Sequence, residues 1–170
     1  MAVHRLRRAL ERLLNVTVIV LMVSLAAVVT VAVVYRKLGM SLVWYDEIAS
    51  VLLAWITYYG AALAALHRAH IGFPGLVASL PRVPRVAATL LARALVIGFF
   101  VLLAWVGYSV LEVLATDNLV SLPDISVKYT QSVIPIGAAL FVLAELLTLP
   151  DALREALQDP VEEAAAEGRA

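Results

Sequence analysis

The chain has 170 residues, 63% of them hydrophobic and only 15% charged, where an ordinary soluble domain carries about 25% charged residues. A chain this short cannot hide so much apolar surface in a core of its own, so part of its solvent must be lipid. Basic and acidic residues balance at 13 each, which gives no general attraction to nucleic acid. The absence of cysteine excludes disulfides, thiol chemistry, iron–sulfur clusters and cysteine-based zinc sites.

Residues 1–12 form a basic, helix-prone leader carrying Arg5, Arg7, Arg8 and Arg12. The uncharged run 13–35 follows, about 23 residues or roughly 34 Å as a helix, enough to cross a bilayer core of about 30 Å. It is longer than the apolar core of a signal peptide and ends in Tyr35-Arg36-Lys37, so it reads as a retained anchor. A short polar connection with Gly39 leads to a second span at 48–66. That span carries Ser50, Ala54, Thr57, Ala61 and Ala65 at helical spacing, which reads either as a stripe for close helix approach or as a merely alanine-rich span. The stretch after His67-Arg68-Ala69-His70 is punctuated by prolines, and residues 73–80 could form a short interfacial helix. A third span is expected at 94–111, its helix beginning near Pro84. Residues 112–128 read as a loop. A fourth span is expected at 129–149, kinked by Pro135, which frees the carbonyl of Gln131 for Thr130, Gln131 or Ser132 to satisfy. Leu149-Pro150-Asp151 is expected to stop it, leaving 150–170 as a tail.

The expected fold is therefore an all-α membrane protein, with residues 13–149 forming a four-helix membrane domain. Four spans put both termini on one side. That side holds ten Lys and Arg residues and the other only Arg36, Lys37 and Lys128, so both termini are expected in the cytoplasm.

No phosphate-cradling Gly-x-x-x-x-Gly-Lys-Ser/Thr loop and no His-Glu-x-x-His helix occurs. His4, His67 and His70 all sit at span ends, so no pair is placed to ligate haem inside a bundle, and no cofactor or metal is expected on this chain. No acid lies mid-span, where a proton or ion carrier needs one. The strongest remaining feature is Asp46-Glu47, after Trp44-Tyr45, at the mouth of the second span. Two readings stand: acids favoured by the helix dipole beside ordinary interfacial aromatics, or acids paired to basic groups on this chain or on another subunit.

Trp44-Tyr45-Asp46-Glu47, an alanine-rich span with a central Trp55, and Arg68-Ala69-His70 together resemble the small membrane subunit of tripartite ATP-independent periplasmic (TRAP) transporters. Leu122-Pro123 and the run Tyr129 to Gly137, with Ile134-Pro135-Ile136, resemble the same family's fourth span. The resemblance covers roughly residues 10–149. Asp46 stands where the family often has glutamate, and Ile71-Gly72-Phe73-Pro74 where it often continues with another acid. The resemblance implies a non-enzymatic, non-transporting permease subunit in the bacterial inner membrane. Its partners would be a large multi-span membrane subunit driven by a sodium or proton gradient, a periplasmic solute-binding protein and membrane lipid. Trp44, Asp46, Glu47, Ser50, Ala54, Arg68, His70 and Pro135 are the candidate partner-interaction residues. The competing readings are an independent small oligomeric transporter and a small membrane enzyme.

Overall fold

A computed structural model describes residues 2–68 and 81–157. Every long element is helical. Helix α1 spans Ala2–Lys37, α2 spans Tyr45–Leu66 and α3 spans Arg82–Val113, followed by a 3-10 turn at Leu114–Thr116; α4 spans Val127–Gln131 and α5 spans Val133–Leu157. Among the described residues four stretches are long and apolar enough to cross a membrane: Arg5–Lys37, Tyr45–Leu66, Arg82–Thr116 and Val127–Leu157. Helical structure follows from the solvent, because a backbone in lipid must satisfy its N–H and C=O groups within the segment.

Helix α1 absorbs the basic leader and runs without a break for roughly 54 Å. It stops where Gly39 adopts φ +80°, a conformation open to glycine because it lacks a Cβ. Met40 N–H then donates to Tyr35 O (3.0 Å) and Gly39 N–H to Arg36 O (3.2 Å), closing the last turn as a Schellman motif.

The helices pack as a row rather than a closed bundle: α1 lies on α2, α2 on α5, and α5 on α3. The order in space thus differs from the order in sequence, and the last helix is one of the two inner ones. At one end three helices meet in a small core, formed by Leu10 and Leu14 of α1, Ala62, Ala65 and Leu66 of α2, and Phe141 and Ala144 of α5. Phe100 of α3 extends it, stacked on Phe141 with ring centroids 3.7 Å apart. Two close approaches set the row's spacing. A Cβ at Gly137 of α5 would lie 2.6 Å from Tyr58 Cβ of α2, and one at Gly107 of α3 would lie 2.9 Å from Ile134 Cγ2 of α5.

The third helix starts at Arg82, just after Pro81, so it extends well before residue 94 as its prolines suggested. The fourth differs from expectation at both ends. Its interruption falls at Ser132, between α4 and α5, and Pro135 occupies the first turn of α5, where a missing N–H costs little. The nearby hydroxyls do not turn to Gln131: Thr130 Oγ1 donates to Val127 O (2.9 Å) and Ser132 Oγ to Tyr129 O (2.7 Å). Nor does Pro150 end the helix, which continues to Leu157. A mid-helix proline costs about 3 kcal/mol. Against it stand Ala152 and Ala156, both buried, and ion pairs that hold Asp151 and Glu155. The expected interfacial helix at 73–80 and the residues after 157 lie outside the described residues.

Candidate functional site

The aromatic-acidic entry forms the start of α2. Trp44 precedes the first turn and is exposed; Asp46 is also exposed. Both acids sit where the helix N-terminus favours negative charge. Their roles diverge because they point in different directions around the helix. Glu47 turns toward the loop between α3 and α4. Its carboxylate accepts the Val120 N–H (3.0 Å), the Ser121 N–H (2.9 Å) and the Ser121 hydroxyl. Asp46 makes no side-chain bond among the described residues.

The loop that Glu47 holds is ordered in its own right. Asn118 and Ser126 form an antiparallel bridge. Leu119 N–H donates to Ile125 O (2.9 Å), Val127 N–H to Asp117 O (2.9 Å), and Ile125 N–H to Leu122 O (2.9 Å). Leu119 turns inward and is buried, while Val120 at the tip is 93% exposed. Ser126 then caps α4, its hydroxyl oxygen accepting the Lys128 N–H (3.3 Å).

Two turns along the same side of α2, about 12 Å further in, Trp55 donates its indole N–H to Thr130 O (2.8 Å). In an unbroken helix that carbonyl would accept from Ile134; here the interruption before Pro135 leaves it for Trp55. Glu47 and Trp55 therefore fasten the hairpin and the broken helix to one face of α2. Of the remaining expected residues, Ser50 is exposed and its hydroxyl donates back to Asp46 O (2.8 Å), and Ala54 is half-buried. Pro135 packs under α3 at Gly107, its Cδ 3.3 Å from where a Cβ would stand.

The opposite end of the row carries a second polar layer. Arg7 of α1 donates to Asp151 of α5 (3.0 Å) and to Leu66 O (2.9 Å), one of the carbonyls left open at the end of α2. Glu11 and His67 approach to 3.5 Å. Arg68, held at φ 54°, pairs with Glu155. Deeper in, Arg93 of α3 pairs with the buried Glu145 of α5 and also reaches Thr148 Oγ1 (3.2 Å). His70 lies outside the described residues.

Sequence reasoning singled out Glu47 and Arg68 but missed the residues they hold, Val120, Ser121 and Glu155. It also missed the Arg7–Asp151 and Arg93–Glu145 pairs. One clue was available, since Glu145 and Arg93 are opposite charges near expected span ends, yet nothing local says that α3 and α5 are neighbours. Among the described residues no group of three or more His, Cys, Asp or Glu side chains could hold a metal ion. The buried Glu145 and the loop-gripping Glu47 are instead spent on tying segments together.

Fold and site thus define a polytopic membrane protein whose polar side chains fasten its own helices at both ends. The chain belongs to the family described as "Tripartite ATP-independent periplasmic transporters, DctQ component", which matches residues 25–155. It is a small permease component of a TRAP transporter, a transporter family rather than an enzyme family. No curated protein sequence matches the chain.

Proposed function

We propose that this chain is the non-transporting scaffold of a secondary-active importer in the bacterial inner membrane. The observation that carries the reading is the family match across residues 25–155. Internal fastening of Glu47 and Glu145 supports a static role. A large multi-span subunit carries an organic acid or similar small solute, driven by a sodium or proton gradient, and a periplasmic binding protein delivers it. The distribution of Lys and Arg supports placing both termini in the cytoplasm. Residues 36–47 and 112–128 then face the periplasm and help dock the binding protein, with the Glu47-held hairpin presenting Val120.

Within that assembly the exposed Asp46, with Trp44 beside it, is the acid left to meet a basic group on a partner. Ser50 and Ala54 lie along helix contacts with the large subunit, Arg68 marks the cytoplasmic end of the same surface, and His70 is a further candidate contact of that partner. The chain itself needs no cofactor in this role.

The test is reconstitution with tagged protein. The chain should recover its large partner in detergent, and vesicles holding both, supplied with binding protein and a cation gradient, should take up solute. Uptake by vesicles holding this chain alone would overturn the reading in favour of an independent transporter. Reporter fusions after Gly39 and Asn118 test the orientation, and cytoplasmic signals at both would reverse it.

A further inference from the structure

Helix α1 spends one face on the fold and turns the other outward. Arg7, Leu10, Glu11 and Leu14 point inward: Arg7 reaches Asp151 and Leu66 O, Glu11 approaches His67, and the two leucines join the core. Steps of three and four residues keep to one side of a helix. On the side opposite the core such steps pass through Arg5, Arg8 and Arg12 and then Val16, Ile19 and Val23, all exposed.

This stripe changes chemistry at one point. Its basic part covers two turns, about 10 Å. Arg5 and Arg12, at the two ends of that part, make no hydrogen bond or ion pair among the described residues. No acid on α1 offsets them, because Glu11 is the one acid before Asp46 and it faces His67. The aliphatic part starts one turn later, within the uncharged run that begins at Leu13. From Arg12 to Val23 is about 16 Å along the axis, close to the depth of one leaflet in a core of about 30 Å.

An anion that carries an apolar chain of that length is a phospholipid. Guanidinium groups grip phosphate through paired N–H donors, and each basic residue near an anionic membrane surface strengthens attraction about fivefold. A zwitterionic head would bring its own ammonium among the arginines, so the stripe favours a head of net negative charge. Other occupants fit less of it. A soluble polyanion has no use for Val16, Ile19 and Val23. A second copy laid parallel on the same face would set arginine against arginine.

We propose that the outward stripe of α1, from Arg5 to Val23, seats an anionic phospholipid, its head among Arg5, Arg8 and Arg12 and one acyl chain along Val16, Ile19 and Val23. The two faces of the basic leader then have separate tasks. Arg7 and Glu11 tie α1 to α2 and α5, and the outward arginines fix the row to the charged surface of one leaflet.

Photolabelling tests this. The full chain, alone and with its large partner, is placed in phosphatidylcholine vesicles. These contain a trace of phosphatidylglycerol or of phosphatidylcholine with a diazirine in the acyl chain, and the adducts are mapped by peptide. Phosphatidylglycerol should label residues 13–23 about tenfold or more above phosphatidylcholine. Arg5→Gln/Arg12→Gln should lower that signal about fivefold or more, while Arg5→Lys/Arg12→Lys keeps it within about twofold. Arg36→Gln/Lys37→Gln removes the same charge at the other end of α1 and should leave it unchanged. Neither arginine of the test pair is bonded within the described fold, and an unchanged unfolding midpoint verifies that the variants are intact.

Equal labelling by the two headgroups overturns the proposal, as does an undiminished signal in Arg5→Gln/Arg12→Gln. Labelling of the chain alone that vanishes in the complex would show that the large partner covers the stripe, and also overturns it. A weak parent signal that rises in Glu162→Gln/Glu163→Gln would assign the arginines to the chain's own acidic tail instead of lipid.

Discussion

Arg93→Met should destabilise the protein far more than its place at the edge of the expected third span suggests. Glu145 keeps only 6% of its side-chain surface exposed and Arg93 keeps 19%. Removing the arginine takes one charged partner from a buried carboxylate and deprives Thr148 of a 3.2 Å donor. Breaking a buried pair from one side costs roughly 3–5 kcal/mol. The reverse change, Glu145→Leu, is expected to cost about half as much, since the longer arginine stem can swing its head toward the headgroups. The double variant Arg93→Met/Glu145→Leu should cost clearly less than the sum of the two singles, because two apolar side chains can replace the pair where α3 meets α5. Equilibrium unfolding in mixed micelles, followed by helicity, gives the three values for a double-mutant cycle. If the double variant loses the sum of the two singles, the pair is not coupled and the reasoning fails.

Gly137→Ala should cost about 1–3 kcal/mol, because the new Cβ would stand 2.6 Å from Tyr58 Cβ, an atom that no rotamer change can move away. Gly98→Ala, with nothing within 4 Å among the described residues, serves as the control and should be neutral or slightly stabilising in the same unfolding assay. Trp55→Phe removes the bond to Thr130 O and should cost about 1 kcal/mol. Its signature is faster hydrogen exchange confined to α4, and unchanged exchange there would show that Trp55 is mere packing. Glu47→Gln leaves one acceptor oxygen for donors that now address two, so the Val120 and Ser121 amides should exchange faster while the helix core stays protected. Equal protection in both proteins would mean that the hairpin holds itself.

The two ends of the row are fastened by different means, and the difference follows from their surroundings. At the α2 entry a single carboxylate grips backbone amides of a short hairpin. That can set the hairpin's position without another charged side chain. At the other end Arg7, Arg68 and Arg93 meet Asp151, Glu155 and Glu145 across three helix contacts. Arginine suits this, because its long stem can cross apolar surface while its fork reaches a carboxylate or a terminal carbonyl. Arg7, Leu10 and Leu14 lie before the segment matched by the family, which begins at residue 25. The basic leader is thus part of the folded row.

Sequence alone determined the number of spans, and the reason is thickness. A bilayer core demands about 20 apolar residues per crossing, and among the described residues four stretches meet that demand. The turn at Gly39, the early start of the third helix after its prolines, and the family itself were legible because each depends on neighbours in sequence. The row order was not legible. Hydropathy is nearly the same all round a lipid-facing helix, so it does not say which side meets which neighbour. Without that order, nothing in the sequence pairs Glu47 with Ser121, Trp55 with Thr130, or Arg93 with Glu145. The fourth span failed locally for the same reason. Its break fell at Ser132, where Trp55 serves a freed carbonyl, and its run past Pro150 depends on partners in α1 and beyond the end of α2. Of the two adjacent acids, only the rotation of α2 against the hairpin decided that Glu47 turns inward and Asp46 stays outside.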